Sequence, residues 1–165
     1  MVLSGCTKLL TRLMEVSMKI RAAIEQDLQF IIDGIKETHI IEEWPEEPLI
    51  CDHYKDEVID SIARKEIRVV EEKDQRAGFV WVKPEFRAMH LDRNDYLWIY
   101  LMFVKKEYRR SGVGKVLDEE ASEIARKLGR KEIIGDIFEV NHISRDFYKK
   151  LGAEPIYTIY SKKSL

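Results

Sequence analysis

The chain has 165 residues, 45% of them hydrophobic, which is enough apolar material for one continuous core and too little length for two independent ones. Its 28 Lys and Arg against 30 Asp and Glu leave a formal charge of -2, so no net basic field exists to hold a nucleic-acid backbone. Cys6 and Cys51 form no Cys-x-x-Cys pair and no histidine stands at metal-ligand spacing, which argues against a disulfide framework and a metal site and suits a reducing cytoplasm.

Residues 1–17 are mildly apolar, but Lys8, Arg12 and Glu15 interrupt them before a signal-peptide core or membrane span can form. They read as an N-terminal extension of uncertain role ahead of a single domain over residues 18–165. Residues 18–23 alternate as a strand does, and Asp27 stands where it would cap a helix carrying Leu28, Ile31, Ile32 and Ile35. Two prolines break the pattern between 37 and 48. Tyr54, Val58 and Ile62, four apart, then mark a second helix over about 53–64. The β-rich runs 67–70 and 78–82 flank the charged turn 71–76 and predict an antiparallel hairpin.

Residues 96–104 are the longest run of β-formers, nearly all apolar or aromatic, as in a central strand covered on both faces. Val113, Val116, Leu117, Ala121, Ile124 and Leu128 recur at helical spacing, and Gly129 stands where a helix end wants a left-handed residue. A strand over 133–138, a helix over 144–151 ended by Gly152, and a last strand over 155–160 complete the order. That order suits an α/β layer with a mixed sheet rather than a doubly wound nucleotide fold.

The chemistry concentrates where the central strand runs into Arg109-Arg110-Ser111-Gly112-Val113-Gly114-Lys115 and the long helix begins. Backbone N–H groups at a helix start, with the positive end of its dipole behind them, form an anion site, and glycines admit a phosphate without a Cβ in the way. Arg109, Arg110 and Lys115 add cationic donors. A Rossmann fingerprint needs a third glycine where Leu117 stands, and no P-loop Gly-Lys-Ser/Thr is present. The same turn also has a purely structural reading.

At this point the chain resembles the GNAT superfamily of acetyl-CoA-dependent N-acetyltransferases, whose signature Arg/Gln-x-x-Gly-x-Gly/Ala is matched by Arg109, Gly112 and Gly114. Residues 141–153 resemble its second segment, Asn-x-x-Ser/Ala-x-x-x-Tyr-x-Lys-x-Gly-Phe/Ala, through Asn141, Ser144, Tyr148, Lys150, Gly152 and Ala153, with Leu151 just ahead of the glycine. The likeness spans roughly residues 18–160. It implies an α/β (α+β) fold with a mixed, mostly antiparallel sheet of six or seven strands and about four helices.

It further implies that Arg109, Arg110, Ser111, Gly112, Val113, Gly114 and Lys115 hold the pyrophosphate of coenzyme A, with Met102, Phe103 and Val104 pairing through their backbone with the pantetheine arm. Asn141 is implied as a further cofactor contact and Tyr148 as the general acid beside the thioester sulfur. Without the motif around it, Tyr148 reads as a core residue one turn ahead of Leu151. Some members carry a glutamate base on the fourth strand, but residues 98–104 contain no carboxylate. Glu139 is the candidate base, with Glu42 or Glu43 as alternatives.

The acceptor wall implied by the family falls on Trp44 and Glu43, within a stretch that also holds Glu37, Glu42, Glu46, Glu47, Asp52, Asp56 and Glu57. Such a rim favours a cationic amine, and it also reads as a solvated charged face. The expected acceptor is a small amine or a peptide, with no nucleic acid, membrane or metal involved. Dimerisation through sheet edges, including the last strand, is what the resemblance implies for assembly. A catalytically silent acyl-CoA-binding module is the rival from another class.

Overall fold

The computed structural model describes residues 18–43, 50–88, 91 and 93–159, with residues 50–53 described by backbone alone. Five strands form one sheet in the spatial order of the chain: β1 (Met18–Ala22), β2 (Ile67–Glu72), β3 (Gln75–Lys83), β4 (Tyr96–Val104) and β5 (Glu132–Ile134). All neighbours pair antiparallel except β4 and β5, which run parallel. Four helices cover the sheet: α1 (Leu28–Ile41), α2 (Ile50–Ala63), α3 (Val113–Lys127) and α4 (His142–Lys150).

The 3.6-residue period of each helix decides which sheet face it covers. Ile31, Ile32 and Ile35 of α1 and Val58 of α2 pack with Ile67, Val69, Phe79, Trp81 and Phe103 on one face. Full burial of an aliphatic side chain such as Ile31, which exposes nothing, contributes about 1.5–3 kcal/mol. Helix α1 lies so close that a Cβ at Gly34 would come within 2.6 Å of the Phe79 ring. On the other face Val113, Leu117, Ala121 and Ala125 of α3 meet Val70, Val80, Val82, Leu97 and Ile99. The β2–β3 hairpin turns at Lys73 and Asp74, with φ of +51° and +60°, the left-handed pair that a two-residue turn demands.

Several expectations need correction. The described residues contain five strands, against the six or seven that the resemblance implied. Of the expected strand over 155–160, residue 160 lies outside the described residues; residues 155–159 carry β-formers but take no strand conformation, Ile156 and Ile159 remain exposed, and no strand pairs with them among the described residues. The expected strand over 133–138 starts at Glu132 and stops at Ile134, and the next residue, Gly135, passes so close to β4 that a Cβ there would meet the Ile99 carbonyl at 3.0 Å. Asp27 makes no cap bond to α1. Its carboxylate instead accepts the Ile24 N–H at 2.9 Å and binds Arg21 and Arg76, so a short 3₁₀ turn over Glu25–Asp27 leads into the helix. Helix α1 continues to Ile41 despite the polar turn after Glu37, and α2 begins at Ile50.

Candidate active site

Strand β4 has one closed edge and one open edge. Its pairing with β5 covers only Tyr96 to Trp98, after which the two strands part. Lys105 donates its N–H to Ala77 C=O at 3.0 Å on the β3 side, so by strand alternation the backbone groups of Met102 and Val104 point the other way. Arg109 confirms that direction: its Nε donates to Val104 C=O at 3.0 Å from the open side. Above the fork, the N–H and C=O of Met102 and the N–H of Val104 therefore line an edge that no strand pairs among the described residues. Phe103 contributes its ring to the core and turns its backbone towards β3.

The register of β4 on β3 slips at one point: Trp81 faces Leu101 and Val82 faces Ile99, which leaves Tyr100 as the extra residue of a bulge. Tyr100 and Leu101 consequently both pack on the α1/α2 face, whereas Ile99 and Met102 lie on the α3 face. The bulge puts the Tyr100 phenol at the fork.

Helix α3 starts at the end of this open edge. Gly112, its N-cap, has φ +98°, and no side chain caps the first turn. The first closing bond is Val116 N–H to Gly112 C=O at 3.1 Å, so Val113, Gly114 and Lys115 have N–H groups with no acceptor inside the helix. Ser111 is held by its Oγ on Tyr108 C=O at 2.7 Å, and Arg110 takes φ +68°, which makes the bend. Arg110 and Lys115 are exposed, the latter 3.7 Å from Glu119. Arg109 differs, because its guanidinium is already occupied by Val104 C=O and by Glu37 at 2.7 Å. Gly114 has a packing reason as well: a Cβ there would meet the Phe147 ring of α4 at 3.1 Å.

Helix α4 brings the second motif to the same edge. Asn141 is 6% exposed and spends both ends of its amide, Oδ1 accepting Ser144 N–H at 3.1 Å as the helix cap and Nδ2 donating to Glu42 Oε1 at 3.1 Å. About two turns on, Tyr148 packs against the α3-side core and its hydroxyl donates to Met102 Sδ at 3.7 Å. Burial, reinforced by the nearby Asp118 carboxylate, pushes the phenol above its usual range, so it stays protonated at neutral pH.

The remaining expected residues lie elsewhere. Glu139 is exposed and ion-paired with Arg145. Glu43 is exposed at φ +55°, and Trp44 lies outside the described residues. Three acids of the rim already have partners within the fold: Glu37 with Arg109, Glu42 with Asn141 and Glu57 with Lys83.

The residues that motif reading missed cluster on the α2 side of the fork. Lys83 Nζ lies 2.7 Å from Glu57 Oε1, 3.3 Å from Ser61 Oγ, and over the rings of Trp81 and Tyr100 at 4.6 and 5.2 Å. Burial pushes the Tyr100 phenol above its usual range, and a hydrogen bond with Tyr54 and the carboxylates of Glu57 and Asp136 act in the same direction. The bulge at Tyr100 has no sequence signature in an unbroken run of β-formers.

A family model for the acetyltransferase (GNAT) family matches residues 28–153. Among solved structures, the fold is similar to the aminoglycoside N-acetyltransferase AAC(6')-Iy in complex with a bisubstrate analogue of coenzyme A, at 18% identity and TM-score 0.70, covering 90% of this chain and 99% of that one. It is similar also to the PaiA N-acetyltransferase of Thermoplasma acidophilum in complex with coenzyme A, at 20% identity, TM-score 0.65 and coverage of 82% and 88%. A predicted acetyltransferase of Clostridium acetobutylicum with acetyl-CoA gives 16% identity, TM-score 0.68 and coverage of 89% and 96%. No curated protein matches the chain. With the family's model matching over most of its length, and with the forked strand and uncapped helix start in place, the chain belongs to the GNAT acetyltransferase family.

Proposed function

We propose that the protein is an N-acetyltransferase that passes an acetyl group from acetyl-CoA directly to an amine, without a covalent enzyme intermediate. The observation that carries this reading is the Tyr148 hydroxyl donating to a sulfur, Met102 Sδ, on the strand whose outer edge is open. The residues present fit the cofactor. An extended amide-bearing arm is matched by the unpaired N–H and C=O of Met102 and the N–H of Val104. A diphosphate is matched by the uncapped N–H groups of Val113, Gly114 and Lys115, with Arg110 and Lys115 free to approach it from solvent.

Acetyl-CoA, when bound, supplies an activated acyl group on a good leaving sulfur. The chain's own task is to orient that group, to donate hydrogen bonds to the carbonyl oxygen and to provide a proton for the departing sulfur. Tyr148 is suited to the last role because it is protonated, partly buried and already directed at a soft sulfur acceptor. Its raised affinity for the proton makes transfer to a thiolate whose conjugate thiol has an ordinary pKa of about 8.5 uphill, so it acts as a hydrogen-bond donor to the departing sulfur, and a proton it gives up is replaced by the one that the acceptor nitrogen sheds on becoming an amide. Asn141 contributes by fixing the start of α4, which sets the position of Tyr148.

Following coenzyme A release across a panel of small amines and N-terminal peptides tests the reading. Turnover of one class, saturable in acetyl-CoA, is expected. Failure of acetyl-CoA to bind in calorimetry overturns it.

A further inference from the structure

A second hollow lies away from the fork, between α1 and the adjoining ends of β3 and β4. It is a cavity of about 330 Å³, which falls within the range of small-molecule sites. It opens on the sheet face that α1 covers, whereas Tyr148 and the start of α3 belong to the other face, and it sits at the end of β4 remote from the pairing with β5. The Phe30 and Phe103 rings, 6.3 Å apart, give it an apolar lining.

Its two walls carry opposite charges. Asp33 and Glu37, one turn apart on α1, stand on the helix wall, and Arg76 and Lys105 stand on the strand wall. Among the described residues no ion pair or hydrogen bond joins those acids to those bases. Each is held by another group instead: Asp33 Oδ1 by Gln29 at 2.8 Å, Glu37 Oε1 by Arg109 at 2.7 Å, Arg76 Nε by Asp27 at 2.5 Å and Lys105 Nζ by Glu107 at 3.5 Å. The second carboxylate oxygens of Asp33 and Glu37 and Nη1 of Arg76 keep their bonding capacity. An ion of either sign entering this space is attracted by one wall and repelled by the other. A small molecule that carries both charges satisfies both walls at once, and an apolar group on it covers the phenyl rings.

We propose that this cavity is a binding site for a free α-amino acid with an apolar side chain. The ammonium bonds Asp33 and Glu37, the carboxylate bonds Lys105 and Arg76, and the side chain lies against Phe30. The site is separate from the open edge of β4 and does not depend on the acetyltransferase reading. Glu37 nevertheless also holds Arg109 ahead of α3, so the occupant and the bend share one carboxylate, and any effect of one ligand on the other is reciprocal.

The test titrates the full chain calorimetrically with L-phenylalanine and L-leucine, and with 3-phenylpropionate and 4-methylpentanoate, which lack only the ammonium. At least one of the two amino acids binds, and its ammonium-free counterpart binds about tenfold more weakly or not at all. Asp33→Asn and Lys105→Met each weaken the amino acid about tenfold, and Lys105→Arg, which keeps the charge, restores it to within about threefold of the parent. Coenzyme A titrated into the same variants is the folding control, since neither position touches the bend. The amino acid still binds with coenzyme A saturating. No binding of either amino acid by the parent, equal binding of the ammonium-free acids, affinities within twofold of the parent in both Asp33→Asn and Lys105→Met, or complete displacement by coenzyme A overturns the site. Failure of coenzyme A to bind the parent fells the acetyltransferase reading and leaves this one standing.

Discussion

Glu37 on α1 and Arg109 ahead of α3, 72 residues apart in the chain, meet at 2.7 Å. The same guanidinium caps Val104 C=O at 3.0 Å, so one side chain ties a helix, the last residue of β4 and the bend ahead of α3. Five residues further on, at the C-cap of α1, Glu42 holds Asn141 of the second motif. The last turns of α1 thus brace both motifs at once, and Arg109 serves the bend as a strut rather than as a loose cation.

Glu37→Gln should weaken that strut. The pair is partly exposed, so the cost in stability is within about 1 kcal/mol. The orientation of the bend is affected more directly, and a rise of about three- to tenfold in the KM for acetyl-CoA with kcat little changed is expected, the pattern of lost ground-state binding. Steady-state kinetics at varied acetyl-CoA checks it. A KM equal to that of the parent would mean that the bend holds itself.

Tyr148→Phe keeps the ring against the α3-side core and removes only a hydroxyl whose partner is a thioether, a weak acceptor. Thermal stability should move little. General-acid groups contribute about 10²–10⁴ in rate, so kcat falls by that order with coenzyme A affinity retained. Because burial raises the phenol's pKa, the alkaline limb of the parent's kcat profile should show no loss from Tyr148 deprotonation below pH of about 10. Loss of coenzyme A affinity alongside kcat would instead assign Tyr148 to binding.

What the sequence disclosed followed from periodicity and from contiguous motifs. The strand Tyr96–Val104, the helix from Val113 and the left-handed Gly129 at φ +66° are all local in cause. What it concealed was decided by tertiary partners. Residues 155–159 have strand composition, but a strand needs a ladder and none pairs with them among the described residues. Arg109 reads as a phosphate donor, and its bond to Glu37, remote in sequence, has no trace in the motif. Gly114 reads as a phosphate-approach residue until the Phe147 ring supplies a second reason for the missing Cβ. The Tyr100 bulge is a one-residue register slip, and composition carries no register.

Asn141 tests the coupling between the second motif and α1. Asn141→Ala removes the cap of α4, worth about 1 kcal/mol, and strands the Glu42 carboxylate without that donor. Asn141→Asp keeps the cap acceptor but sets two carboxylates against each other. At pH 7 it should be less stable than Asn141→Ser, and the gap should close as pH falls through the carboxylate range near about 4. Paired thermal melts from pH 7 to pH 4 measure this. A gap that persists at low pH would remove charge repulsion as the cause.

Asp27 gives the sharpest dependence of stability on pH. Its fully buried carboxylate receives Arg21 at 2.6 Å, Arg76 at 2.5 Å and the Ile24 N–H at 2.9 Å, joining β1, β3 and the approach to α1. Burial alone would raise its pKa, but the two guanidinium groups and the amide outweigh that and hold it down to about 2, against 3.8 for the free side chain. The unfolded chain therefore takes up this proton at a higher pH than the folded one. The stabilisation is complete above the unfolded value and drains away as pH falls from about 4 towards about 2. Asp27→Asn should erase that slope and lower stability at pH 7 by up to about 3 kcal/mol, since Arg21 and Arg76 retain partial access to water. Denaturant titrations of both proteins between pH 7 and pH 2 decide it: the curves should converge at the acid end, and parallel curves would show that the network around Asp27 contributes nothing that protonation can remove.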